Sequence, residues 1–282
     1  MKVLVLGSNG MIGNAIYTQL KLNDKIEVFN TEEINSNSFE KFDASKLDHF
    51  ESFFKFHTFN VVINCIGITK HRNEIQDIYK VIMINSIFPW KLLNLAKKLN
   101  FKLIHISTDC VFDGMRGNYS ELDIPNALDL YGRTKALGEI TNDESCLTIR
   151  TSTIGHELNS KRGLLEWFLS QKKCKGFVNA IFSGLPSNVL AKIIEKYLIN
   201  NININGLLNI GSLPINKYDL LTIVKNTYDL DIEIVPDYAF KIDRTLNCNK
   251  FKSITKYVDL DWKELILIMK NDWEKNKGFS NV

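Results

Sequence analysis

The chain has 282 residues, 45% of them hydrophobic, with 35 Lys and Arg against 32 Asp and Glu for a formal net charge of +3. That composition supports a sizeable core in one large or two intimate domains, and the charge is too small and too dispersed to suggest a nucleic-acid or membrane-surface partner. Cys65, Cys110, Cys146, Cys174 and Cys248 form no C-x-x-C pair and follow no secretory leader, and His49, His57, His71, His105 and His156 show no ligand spacing, so a cytoplasmic protein without a metal is expected.

The first apolar run, Lys2–Leu6, breaks into Gly7-Ser8-Asn9-Gly10-Met11-Ile12-Gly13 and continues into a helical pattern through Leu20. A strand ending near Leu6 would put the glycines where a phosphate-binding turn needs them. Gly7 permits the tight turn, Gly10 lets backbone approach a pyrophosphate, and Gly13 allows close packing of helix on sheet. Asn9, Met11 and Ile12 would lie against the same dinucleotide. Further strand-like runs fall at 26–29, 61–66, 102–106 and 146–149, separated by helix-length connections. This order predicts an α/β fold: a Rossmann-type doubly wound parallel sheet, covered on both faces, with its ligand crevice at the strands' C-terminal ends. Helical patterns at 163–171, 187–199 and 218–228, a strand at 207–210 and a last helix over 262–275 read as a smaller C-terminal substrate-binding lobe. Residues 1–155 are assigned to the dinucleotide-binding domain and 156–282 to the lobe, with the chain free to cross back between them. The apolar stretches stop short of a bilayer span, and no repeat appears.

Tyr131 and Lys135 are four apart and would share one face of a helix. A nearby ammonium favours phenolate over phenol, so Lys135 is expected to lower the Tyr131 pKa and fit the hydroxyl to deliver a proton to a carbonyl oxygen. Upstream, an apolar strand empties into Ser107-Thr108-Asp109-Cys110-Val111-Phe112-Asp113-Gly114 at the crevice edge. This segment, followed by Tyr119 to Glu121, Pro125 and Tyr-Gly-Arg-Thr-Lys at 131–135, resembles the dTDP-4-dehydrorhamnose reductase family and its nucleotide-sugar relatives among the extended short-chain dehydrogenases. The opening G-x-x-G-x-x-G is also seen there. Asn64 to Gly67, Asn85 with Pro89, and Arg150-Thr151-Ser152 fit the same pattern, so the resemblance is strong over residues 1–155 and weaker beyond. It implies that Thr108 hydrogen-bonds the substrate carbonyl, Tyr131 donates the proton and Lys135 holds the nicotinamide ribose. It further implies that Asp43, Cys65, Ile66, Gly67, Asn85 and Ser107 line the cofactor, Asp43 being equally suited to cap a helix.

At position 110 the family's reductases usually carry tyrosine, and this chain has cysteine. Residues two apart in extended backbone point the same way, so Cys110 would face the pocket of Thr108. GDP-L-fucose synthases and the bifunctional nucleotide-rhamnose synthases similarly place a cysteine there as an acid/base for epimerisation beside the ketone. That likeness implies C3 epimerisation with Lys175 as the basic partner by analogy; the alternative is a small, inert buried thiol. The related 4,6-dehydratases follow the threonine with Asp-Glu, whereas here Asp109 precedes Cys110, which disfavours elimination. After the second strand come Asn30, Thr31, Glu32 and Glu33 with no arginine to clamp a 2′-phosphate, so NADP(H) rests on the resemblance and NAD stays open. Asp109, Val111, Phe112, Arg150, Ser152, Trp167, Asn179 and Arg244 are candidate substrate contacts, with Arg244 suited to a pyrophosphate and Trp167 as readily helix-face core.

The sequence therefore reads as an NAD(P)H-dependent reductase of the C4 ketone of a UDP- or dTDP-linked 4-keto-6-deoxy sugar, a 2-acetamido sugar included. C3 epimerisation would precede reduction, and the product would feed surface polysaccharide biosynthesis. Simple 4-reduction and a non-catalytic nucleotide-binding regulatory subunit are the alternatives, and a homodimer is left open.

Overall fold

The computed structural model describes residues 1–31, 44, 54, 57–70, 72–158, 162–201 and 203–279, with side chains as far as Lys275. Asp43, Glu32 and Glu33, expected near the cofactor, lie outside the described residues.

β1 (Lys2–Leu6) is apolar at every position after Lys2, and Val3, Leu4, Val5 and Leu6 are all fully buried. A strand without a polar face belongs inside a parallel sheet covered on both sides. It lies there: β2 (Glu27–Asn30), β1, β3 (Val61–Asn64), β4 (Lys102–Ile106), β5 (Cys146–Arg150) and β9 (Gly206–Asn209) form a six-stranded sheet in that order. Every pairing in it is parallel. The strand order reverses at β1, so the crevice opens above the C-terminal ends of β1 and β3.

Alternation along the strands sorts the core into two layers. Val3, Val5, Ile63 and Ile104 pack with Ile16 and Leu20 of α1 (Met11–Lys21) and with Leu190. Leu4, Leu6, Val62 and Leu103 face the opposite way, onto Phe88, Leu92 and Ala96. The latter belong to α3 (Phe88–Leu99), which continues from α2 (Ile78–Ile82) through a π-helical stretch at Met83–Ile87. α4 (Leu130–Leu137) begins where the side chain of Asp129 accepts a hydrogen bond from the backbone N–H of Gly132 at 2.9 Å. β3 is two residues shorter than its apolar run because the Asn64 side chain accepts from the Ile66 N–H at 3.1 Å and turns the backbone out of the ladder.

After β5 come β6 (Thr153–Ile154), α5 (Leu164–Leu169), β7 (Lys173–Phe182), β8 (Leu185–Pro186) and α6 (Ser187–Ile193). α6 runs on as a π-helical stretch at Ile194–Leu198, accounting for the helical pattern over 187–199, and packs against α1. The strand expected in the lobe near residue 207 is β9, the edge strand of the main sheet beside β5. β10 (Ile215–Asn216), α7 (Lys217–Tyr228), β11 (Glu233–Asp243), α8 (Asn249–Thr255) and α9 (Trp262–Phe279) complete the chain. β7 lies between antiparallel β10 and parallel β11 in a second, three-stranded sheet that the sequence reading did not contain.

Candidate active site

The turn after β1 is built by backbone contact. Gly7 has φ +80°, and a Cβ on Gly13 would lie 2.2 Å from the Gly7 carbonyl oxygen, so α1 can start this close to the strand only without a side chain there. The Gly10 N–H donates to Gly7 O at 3.0 Å. Gly10 caps α1 without a side-chain hydrogen bond, and the first turn of α1 holds no acidic residue. Its free N–H groups and dipole suit a pyrophosphate, so the residues present fit a dinucleotide.

β4 delivers Ser107 and Thr108 to the crevice. Thr108 is extended (φ −146°, ψ 154°), and its hydroxyl accepts from the Cys110 N–H at 3.1 Å and donates to Asp109 Oδ1 at 3.2 Å. Tyr131, in the first turn of α4, is half-buried beside this segment, with Thr108, Asp109 and Cys110 acting on its phenol. Lys135, one turn on and 4% exposed, donates from Nζ to the Ile106 carbonyl at 2.7 Å. The structure therefore brings Thr108, Cys110, Tyr131 and Lys135 to one side of the cleft. Cys65, Ile66 and Gly67 lie half-buried beyond β3, and a Cβ on Gly67 would be 3.9 Å from Lys135 Nζ.

The electrostatics differ from expectation. Burial pushes the Tyr131 phenol well up, Cys110 and Asp109 add to this, and the Thr108 hydroxyl opposes it. Tyr131 is thus a firmly protonated acid and not the acidified phenol that its spacing from Lys135 suggested, because desolvation dominates and the ammonium is turned onto Ile106. Burial brings Lys135 down to about 8, against the opposing pull of Glu139 and Cys65. Cys110 is pushed up to about 11 by burial and by Asp109, with Lys70, Arg244 and Thr108 opposing.

Several expected contacts lie elsewhere. Lys175 is 71% exposed and pairs with Asp237 at 3.0 Å across β7 and β11, which takes its ammonium out of the cleft. Asn179, four residues further along β7, is exposed and donates to the Tyr238 carbonyl at 2.8 Å. Arg150 is 2% exposed and forms a two-pronged bond to Glu139, Nε at 2.9 Å and Nη2 at 2.7 Å, so it is an internal counter-ion and not a substrate contact. Val111 and Phe112 are core, the latter stacked on Tyr119 at 4.0 Å between centroids. Both ends of the Asn85 side chain are engaged, by Ile68 N–H, Ile68 O and Thr134 Oγ1, which makes it a clamp beneath the cofactor crevice. Ser107 donates to Glu139 at 2.7 Å. Trp167 stands on α5 and is 39% exposed, and Ser152 is half-buried after β5. Arg244 remains at the site: its Nε donates to Phe112 O at 2.8 Å and its Nη1 reaches Cys110 Sγ at 3.7 Å.

Two residues at the site escaped the sequence reading. Lys217 starts α7, lies half-buried with Nζ 3.6 Å from the centroid of the Phe182 ring, and is brought down to about 8 by burial, with Asp109 and Cys110 opposing. No spacing rule links it to the motif residues. Glu139 does carry a signal, four residues after Lys135 and eight after Tyr131. Among the described residues no cluster of three or more His, Cys, Asp or Glu is placed to hold a metal ion, and no helix is long and apolar enough to cross a membrane.

A parallel sheet that reverses above a glycine turn, with threonine, tyrosine and lysine gathered at the end of its fourth strand, defines an extended short-chain dehydrogenase/reductase. Residues 1–180 match the RmlD substrate binding domain, and the chain belongs to that family. A dTDP-4-dehydrorhamnose reductase of Aggregatibacter actinomycetemcomitans is 27% identical over 229 residues, 77% of this chain and 76% of that protein. The methionine adenosyltransferase 2 subunit beta of Bos taurus is 30% identical over 143 residues, 49% of this chain and 41% of that one. Among solved structures, a dTDP-4-dehydrorhamnose reductase from Bacillus anthracis str. Ames in complex with NADP superposes with a TM-score of 0.80 at 17% identity, covering 96% of this chain and 99% of that one. A dTDP-4-dehydrorhamnose reductase from Clostridium acetobutylicum ATCC 824 gives a TM-score of 0.80 at 23% identity, covering 97% of this chain and 100% of that one.

Proposed function

We propose that the chain is an NADP(H)-dependent reductase of the C4 ketone of a nucleotide-linked 4-keto-6-deoxy sugar. The observation that carries this reading is the convergence of Thr108, Tyr131 and Lys135 at the cleft edge above the Gly7 to Gly13 turn. The relative called dTDP-4-dehydrorhamnose reductase and the neighbour crystallised with NADP support it, and NAD is the alternative cofactor. The α1 N-terminus would hold the pyrophosphate and Lys135 the nicotinamide ribose; when bound, the reduced nicotinamide supplies a hydride. The Thr108 hydroxyl, turning from Asp109 Oδ1, would donate its hydrogen bond to the ketone oxygen. Tyr131, kept protonated by burial, transfers its proton to that oxygen as negative charge develops there, and the resulting phenolate is neutralised from the Lys135 ammonium.

C3 epimerisation before reduction is the finer part of the proposal. Cys110 stands on a 3-10 turn at Asp109–Val111 and not on the extended backbone expected, with its Sγ 3.7 Å from Arg244 Nη1, and the basic group that the proposal pairs with it is Lys217 in place of Lys175. The Lys217 amine would remove the proton beside the ketone and the Cys110 thiol return one to the opposite face, the ammonium and thiolate so formed exchanging a proton to reset the pair. Incubation with a dTDP- or UDP-linked 4-keto-6-deoxyhexose and NADPH in deuterated water tests both parts: product with deuterium at C3 supports the full reading, product without it leaves simple 4-reduction, and no product removes the reductase. The match to a subunit named for methionine adenosyltransferase favours a regulatory reading as the rival, and turnover by the purified chain alone excludes that rival. A soluble cytoplasmic setting, a homodimer and a role in surface polysaccharide synthesis complete the proposal.

A further inference from the structure

Arg244 follows β11 directly and enters the site from the second lobe, where backbone contacts on both sides of it fix its place. The Asp243 N–H donates to Gly114 O at 2.7 Å, the Tyr119 N–H to Thr245 O at 2.8 Å and the Asn247 N–H to Tyr119 O at 2.8 Å. Gly114 has φ +83°, and a Cβ on it would lie 2.4 Å from Ile242 Cγ1 and 2.9 Å from Arg244 Cγ, so β11 comes this close to the turn after Cys110 only with glycine there. The half-buried guanidinium is thereby aimed at two atoms of that turn. Its Nε donates to Phe112 O at 2.8 Å and its Nη1 to Cys110 Sγ at 3.7 Å. Phe112 is itself fixed, fully buried and stacked on Tyr119.

A thiol has one proton to give and a sulfur that accepts weakly. With an Nη1–H directed at Sγ, the S–H bond must point away from the guanidinium. A thiolate formed there would gain a charge-assisted hydrogen bond from a cation that does not lose its own proton. The other groups acting on this sulfur come from several elements. Burial and then Asp109, on the same turn, keep the thiol protonated, while Lys70 beyond β3, Arg244 and the Thr108 hydroxyl favour its ionisation. The Tyr131 phenol on α4 and the Lys217 amine on α7 feel the same sulfur. Among these cations Arg244 is the one with a hydrogen bond to Sγ.

We propose that Arg244 is the positioning residue of the epimerisation step: its bond to Sγ fixes the Cys110 thiol, turns the S–H away from the guanidinium, and holds the thiolate once the proton has gone to C3. This inference rests on the reading of Cys110 as the acid that returns a proton beside the ketone. In that step the Lys217 amine takes the C3 proton and the C–H electron pair passes into the enolate. A new C–H bond then forms on the opposite face as the S–H bond breaks, leaving thiolate and ammonium. No oxidant or reductant is consumed. The guanidinium stabilises only the product of this proton transfer, so its loss should slow exchange at C3 more than hydride transfer at C4.

The test separates exchange from reduction. Exchange is read as deuterium entering C3 of a dTDP-linked 4-keto-6-deoxyhexose in deuterated water, with NADP⁺ in place of NADPH so that no hydride is delivered. Reduction is read as NADPH consumed with the already epimerised ketone. Arg244→Gln lowers the ratio of exchange to reduction by about tenfold or more. Arg244→Lys keeps the charge but has a single donor centre for two acceptors, and its ratio falls between; should Arg244→Gln not fold, the drop in Arg244→Lys decides. An unmoved ratio in either folded variant overturns the inference, and a raised KM for both reactions with that ratio unmoved returns Arg244 to the pyrophosphate. A second readout needs no turnover. In arginine-labelled protein without cofactor, the Arg244 Nη resonances, assigned with Arg244→Lys, shift in Cys110→Ala and stay in place in Cys146→Ala; resonances that do not respond to Cys110→Ala overturn the contact. An unsubstituted chain that reduces the ketone but never exchanges C3 instead removes the reading of Cys110 on which the inference stands.

Discussion

Tyr131 is a buried phenol held protonated by its surroundings, and that fixes what its removal should do. Tyr131→Phe keeps the ring and its packing but removes the phenolic proton proposed to reach the ketone oxygen. We expect kcat to fall by about 10²- to 10⁴-fold, with NADPH affinity, read by fluorescence titration, unchanged within about twofold. The two lysines of the second lobe separate in the same way. Lys175 forms an ion pair at the surface, where such pairs contribute about 0–1 kcal/mol. Lys175→Ala should therefore leave turnover and C3 deuterium exchange as they are, whereas Lys217→Met should abolish exchange and retain reduction of an already epimerised substrate; exchange that survives Lys217→Met refutes the pairing with Cys110. Thr108, Tyr131 and Lys135 were legible because strand end and helix face fix them locally. Lys217 was not, since it arrives from a helix start more than 100 residues after Cys110 and only tertiary packing brings the two together. Arg150 misled for the opposite reason: a charged residue leaving a strand at the crevice looks like a ligand, and only Glu139 shows that its charge is already taken.

At the scale of elements, the legible strands were those whose burial is written in consecutive apolar residues. β1 and β4 matched their expected bounds. β7 was missed because Lys173-Cys174-Lys175-Gly176 alternates weakly and the segment around Gly176 resembles a loop; its partner β11 contains Pro236 and is largely exposed. Its register also shifts between Asp237 and Lys241, a break no local pattern announces. The glycine turn is the element most open to test. A Cβ at Gly13 meets backbone, the Gly7 oxygen at 2.2 Å, so nothing flexible is available to yield and α1 must retreat from β1. Gly13→Ala should weaken NADPH binding at least about tenfold and lower the melting temperature. The face formed by α2, α3 and α4 leaves Ile78 59%, Tyr79 74%, Ile82 38%, Trp90 44% and Leu137 66% exposed, an apolar patch fit for a second copy of the chain. Leu137→Glu should then shift the sedimentation coefficient from dimer to monomer, and a wild-type chain that sediments as a monomer ends the homodimer proposal.

The whole molecule carries an unusual load of buried titratable groups, and their shifts define the pH range over which it is stable. On the acid side, burial holds His105 neutral well below its ordinary 6.5, so the unfolded chain binds that proton first and stability falls as pH drops through about 6.5. On the alkaline side two sets of groups oppose one another. Lys135 and Lys217 sit near 8 in the fold against an ordinary 10.5, so the folded state releases protons earlier and gains stability as pH rises from 8 towards 10.5. The buried thiols act in the other direction: Cys65, Cys146 and Cys248 are raised from 9.0 to about 12 and Cys110 to about 11, so stability present below pH 9 is lost as the unfolded thiols ionise. Tyr131 and Tyr228 add to that loss above pH 10. Cys174, Tyr119 and Tyr257 are raised as well, so five thiols and four phenols outweigh Lys102, Lys135 and Lys217, and the unfolding free energy from urea titration in reductant should rise slightly between about pH 8 and 9 and fall steeply above it. Replacing Cys146, which lies in the sheet away from the cleft, by Ala should move that descent to higher pH without altering kcat. A stability that keeps climbing to pH 10.5 would mean that the lysines dominate and that the thiols are less thoroughly desolvated than their burial in this fold implies.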